Sequence, residues 1–166
     1  MLAVLEWLEN TRLAILIQES QYGFPFVVAV HILGLTVSVG TLLWVDLRML
    51  GVALRGLRVS AVYRGLAPWF FAGFALMFVS GAALFTAFAT SAFANLYFRL
   101  KLVALLLAGV NALVFHVVVA AKTSAKWDDA ARPPAGVRIA GLTSIVLWAG
   151  VIVAGRMMSY TMFSYP

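Results

Sequence analysis

The chain has 166 residues, of which 64% are hydrophobic and 11% charged, and its mean hydropathy is +1.01. Soluble domains are about half apolar and a quarter charged, so this composition excludes a soluble globular fold. The net charge of +6 is carried by basic residues that fall between apolar runs rather than in a patch interleaved with aromatics, which argues against a nucleic-acid partner. The absence of cysteine excludes disulfides, thiolate metal sites and iron–sulfur clusters.

Residues 2–19 predict an amphipathic helix. Leu2, Leu5, Leu8, Ile15 and Leu16 are apolar against Glu6, Glu9, Asn10, Arg12 and Glu19, a pattern suited to lying in the membrane interface. The two early glutamates and the lack of a basic leader argue against a cleaved signal peptide, so Met1 is expected to be retained. Gln21-Tyr22-Gly23 breaks the pattern, which divides the chain into an interfacial segment, 1–20, and a membrane domain, 21–166.

Four apolar runs follow, at about 24–45, 68–89, 97–121 and 137–162. Each is long enough to cross a hydrocarbon core of about 30 Å as a helix. They are twice the length of barrel strands, and in lipid every backbone polar group needs an internal partner. The expected fold is therefore all-α, an integral membrane four-helix bundle with an N-terminal interfacial helix. Arg48, Arg55, Arg58 and Arg64 lie in the stretch 46–65, and Lys122, Lys126, Arg132 and Arg138 in the stretch 122–138. The positive-inside rule puts both stretches in the cytoplasm. The N- and C-termini are then expected outside it, in a bacterial-type inner membrane.

Ionisable residues within spans are costly, and each is a candidate functional residue. His31, Lys101 and Arg156 fall at similar depth in the outer half of the first, third and fourth spans. Gly34 follows His31 by about one turn, and Gly73, Ser80 and Gly81 are small residues on the second span. A histidine beside a small-residue slot, with cations at the same depth, suits a b-type haem whose propionates meet Lys101 and Arg156. Each residue also has a plain alternative: a histidine bonded to a neighbouring helix, or cations that snorkel to headgroups. His116 lies on the inner half of the third span with Asn111. Its offset from His31 is about 13 Å along the membrane normal, too large for the two to share one iron. Asp46 and Arg48 read as an interface ion pair at the end of the first span.

The stretch FVVAVHILGLTVSVGTLLWVDLRMLG resembles the first helix of HemJ-type protoporphyrinogen oxidases and of the related CopD-type membrane domains. YFRLKLVALLLAG is similar to the HemJ helix that opens with an aromatic and a lysine, and YRGLAPWFFAGFALMFVSGAALF to the helix between them. The resemblance implies a haem-associated four-helix membrane protein in which His31 and Lys101 match the essential histidine and lysine. The chain departs from it in the third span, where Asn111 and His116 replace the later histidine of the family.

The leading expectation is a b-type haem-binding membrane protein for electron transfer or tetrapyrrole redox chemistry, with His31 on the metal and Gly34, Lys101 and Arg156 around the cofactor. Alternatives are protoporphyrinogen IX oxidation of HemJ type and copper handling through His31 with Met157, Met158 or Met162. A cofactor-free accessory subunit is a further one. The expected partners are the lipid bilayer and a redox partner or a second copy of the chain.

Overall fold

The computed structural model describes residues 2–119 and 127–162. Lys122 and Lys126, half of the second basic stretch, lie outside the described residues, as does the end expected for the third span at Ala121. The described chain is helical, and four of its helices are long and apolar enough to cross a membrane: Gly23–Leu50, Val59–Ala87, Leu96–Val117 and Ala135–Met162. The protein is thus an all-α, multi-pass membrane protein with four spanning-length helices.

The N-terminal amphipathic stretch is two helices rather than one, α1 (Leu2–Glu9) and α2 (Arg12–Glu19). The break follows from local chemistry. The Asn10 amide donates to the Glu6 carbonyl, and Thr11 caps α2 by accepting from the amide of Ala14. The pair folds over one end of the bundle and buries Leu5, Ala14 and Ile17. Two hydrogen bonds hold it there, from Gln18 to the Ala87 carbonyl and from the Thr90 amide to Glu9. Glu9 thereby satisfies an otherwise orphaned amide at the start of α5 (Ala89–Ala94), a short helix at the position read as a polar break.

The spans are longer than their charge-free cores. Helix α3 covers Gly23–Leu50 and α4 covers Val59–Ala87, so Pro68 lies inside α4 instead of opening it. Helix α6 covers Leu96–Val114 and runs on as a π-helical turn, Phe115–Val119, and α7 covers Ala135–Met162. The charged end of α3 stays helical because nothing in its chemistry stops it short of Gly51. That residue caps α3 with φ 71°, and a side chain there would also meet the Ala131 carbonyl at 3.0 Å.

Packing is pairwise. Helix α3 lies against α4 and α7, and α6 lies against α7, so α4 and α6 flank a groove floored by α3 and α7. The α3–α4 contact is made by glycines. A Cβ added at Gly34 would stand 2.6 Å from the Met77 nitrogen and 2.8 Å from the Gly73 oxygen. A Cβ at Gly73 would stand 2.6 Å from the Ser38 nitrogen. Small residues let helix backbones approach closely in lipid, where no hydrophobic force drives them together. Large apolar side chains such as Trp69, Phe78, Leu106 and Val153 point outward, as a bilayer requires.

The end with the basic loops is tied by Arg48 and Asp128, and the expected Asp46–Arg48 pair does not form. Arg48 is 0% exposed and donates to the carbonyls of Leu57 at 2.6 Å and Ala130 at 3.0 Å. Asp46 instead has the Ser144 side chain of α7 beside it. The reason is geometric: two residues apart on a helix, the two side chains face different neighbours. Asp128 accepts from the Ser60 amide at 2.8 Å and its hydroxyl at 2.6 Å, which caps α4 from a distant loop. Partial burial works against the charge of Asp128. The Ser60 hydrogen bonds and the charges of Arg58 and Arg64 outweigh it and hold the carboxyl below its ordinary 3.8. A depressed folded value stabilises the protein above 3.8, and that contribution is lost as pH falls through the folded value. Asp128→Asn should lower stability by about 1 kcal/mol at neutral pH and flatten the acid limb of the melting curve. Circular dichroism in detergent between neutral and acid pH checks both effects.

Candidate functional site

At the end of the bundle capped by α1 and α2, the four long helices leave a partly open cavity of about 330 Å³. Its wall brings together His31 of α3, Gly81 of α4, Lys101 of α6 and Arg156 of α7. Phe85 stacks on Phe98 at 5.3 Å, 6° from parallel, where α4 and α6 meet at this end.

The histidine is held in one orientation. Its Nδ1 lies 2.8 Å from the Met77 carbonyl and 3.2 Å from the Ser80 hydroxyl, which itself donates to the Leu76 carbonyl at 2.6 Å. A carbonyl only accepts, so Nδ1 carries the proton. In the neutral ring Nε2 is then the basic nitrogen, and it has no hydrogen-bond partner among the described residues. Metal-binding histidines are held this way, with one N–H on a carbonyl and the other nitrogen facing the ion. The ring also lies against Gly81, where a Cβ would sit 2.9 Å from Cε1.

The cations have no carboxylate partner among the described residues. The salt bridge found among the described residues is Arg58 with Asp129 at the opposite end. Arg156 bonds the Tyr160 hydroxyl at 2.7 Å one turn further along α7. The Nζ of Lys101 lies near Gly155, 3.8 Å from where a Cβ would stand. Glu9 is occupied by α5, so the outer glutamates do not explain the cations as a whole.

Gly34 is placed differently from the expectation. It does not line the cavity, and its missing side chain serves the α3–α4 crossing. That crossing carries the Met77 carbonyl to His31, so Gly34 acts on the site through the backbone. Met158 and Met162 line the cavity, whereas Met157 does not. Among the described residues no group of three His, Cys, Asp or Glu side chains could hold a metal ion. His116 lies elsewhere, in the groove between α4 and α6.

The Met77 carbonyl is the contact that sequence could not supply, because any residue provides one. The signal that was available is the pair Ser80 and Gly81, a hydroxyl and a gap where His31 comes to rest.

The fold and site define a four-span helical membrane protein with an imidazole and two cations around one cavity at the end of the bundle capped by α1 and α2. The chain belongs to a family of unknown function, DUF6644, whose sequence model matches residues 4–161. No curated protein and no solved structure matches it.

Proposed function

We propose that the protein binds b-type haem in this cavity, with Nε2 of His31 as iron ligand and with Lys101 and Arg156 receiving the propionates. The observation that carries the reading is the Nδ1–Met77 hydrogen bond, which leaves the basic Nε2 of a histidine within a spanning helix unpartnered among the described residues, beside two cations that no described carboxylate pairs. The residues fit the group in three respects. The imidazole is pre-oriented, the gap at Gly81 accommodates its ring, and the guanidinium and ammonium groups match carboxylate ligands. The volume lies at the lower end of ligand pockets, about 300–1,000 Å³, and the cavity is partly open, so part of a macrocycle would extend through the opening. When bound, haem supplies one-electron chemistry, and the chain supplies position and charge. The basic loops would face the cytoplasm by the positive-inside rule, which puts the cavity on the outer side. The likeness of the segments around His31 and Lys101 to HemJ- and CopD-type helices supports the same reading.

A second reading is Cu(I) held by His31 with the thioethers of Met158 and Met162, which share the cavity. Two nearby cations oppose a bare metal cation and favour a ligand that brings its own carboxylates, so haem is preferred.

Titration of the purified protein with haemin tests the proposal. Wild type and His116→Ala should give a sharp Soret band. Arg156→Gln should weaken retention about tenfold, the loss of one charge-assisted pair. Replacing Glu6, Glu9 and Glu19 together should leave retention largely intact. Weak haemin binding by the triple variant and full binding by Arg156→Gln would show that the cations merely anchor the N-terminal helices.

A further inference from the structure

The second cavity lies on the other half of the bundle, between α4 and α6, and measures about 590 Å³. It owes its existence to the pairwise packing, since α4 and α6 each lean on a different partner. Along most of its length the walls are hydrocarbon and aromatic, with the Phe74 ring in contact with those of Phe70 and Trp148. At the loop end the chemistry changes. Asp46, 3% exposed, has no cationic partner among the described residues and lies beside Ser144. Asn111 donates to the Ala140 carbonyl at 3.0 Å and has its amide oxygen left over. His116 uses Nδ1 on the Ala112 carbonyl at 2.8 Å, and its ring lies 5.8 Å from that of Tyr63. The π-helical turn begins beside it at Phe115, a distortion often found at functional sites.

We infer that this groove binds a lipid-soluble molecule with a flat, neutral, hydrogen-bonding head and an apolar tail, of the quinone class. Size excludes a partner helix, whose diameter of about 10–12 Å needs a far larger trough. The volume matches a small ligand, about 300–1,000 Å³. A phospholipid keeps its charged head at the surface and has no use for a buried carboxyl and a half-buried amide beside its chain. A quinone head accepts hydrogen bonds and offers an aromatic plane, which the end of the groove can meet with donors, acceptors and ring faces. The inference concerns binding alone and is independent of the haem reading, because the two cavities are lined by different histidines.

Two glycines give a clean test. Gly109 lines the groove and Gly150 does not, and a Cβ added at either meets nothing within 4 Å. The probe is a short-tailed benzoquinone, titrated by quenching of tryptophan fluorescence in protein purified without haem. The reference compound is an alkylbenzene of matched tail. Wild type and Gly150→Leu should show saturable quenching, Gly109→Leu should lose it by about tenfold or more, and Asp46→Asn should weaken it. The alkylbenzene should compete poorly. Equal binding by Gly109→Leu and Gly150→Leu, no saturable binding at all, or full competition by the alkylbenzene would each overturn the inference. The last result would mark the groove as a crevice for lipid chains.

Discussion

Gly34→Val is expected to destabilise the protein by about 3 kcal/mol or more, the upper range for overpacking a core. The basis is that the atoms a new side chain would meet are backbone. The Met77 nitrogen and the Gly73 oxygen stand 2.6 and 2.8 Å from the position of a Cβ at Gly34, and neither can rotate away. Helix α4 would have to move outward as a body. It would take the Met77 carbonyl from His31, so haemin binding should fall together with thermal stability. Gly40→Val on the same helix is the control, because a Cβ at Gly40 meets nothing within 4 Å. Melting of the two variants in one detergent should separate them widely, and equal melting would show that the α3–α4 crossing is not tight.

Gly81→Ala should do the opposite, removing the site and leaving the fold. Alanine is favoured over glycine in a helix by up to about 1 kcal/mol, so thermal stability should hold or rise. The added methyl would stand 2.9 Å from Cε1 and 3.3 Å from Nδ1 of His31. Here the obstructed group is a side chain, which can turn. Turning costs it the hydrogen bond to Met77 and misdirects Nε2. Haemin affinity should fall tenfold or more, comparable to the loss of an orienting contact to a metal ligand. Haemin titration beside melting reads both halves, and a variant that binds as wild type would show that the ring does not need its present seat.

These two glycines show how far the sequence is legible. Charge-free runs and paired basic loops located four helices, because burying a formal charge in lipid is costly enough to leave a clear gap in the pattern. The shared depth of His31, Lys101 and Arg156 followed from counting along those helices, and the three do line one cavity. The role of Gly34 was not legible. A small residue one turn from a histidine suits a flat ligand and a close helix equally, and only the position of Gly73 decides between them. The break at Asn10-Thr11 was hidden for a similar reason, since the amphipathic pattern continues across it while the capping bonds do not show in periodicity. Arg48 was misassigned because sequence proximity to Asp46 suggested a pair, whereas its partners are carbonyls of Leu57 and Ala130. Such partners leave no compositional trace.

The central claim is that Nε2 of His31 is the iron ligand, and chemical rescue tests it most directly. His31→Gly removes the imidazole and keeps the surrounding helices, so the variant protein loaded with haemin should lose the sharp Soret band of wild type. Adding free imidazole should restore that band, as a detached ligand filling the vacated position. A His31→Gly protein that keeps the wild-type spectrum without imidazole would contradict the account.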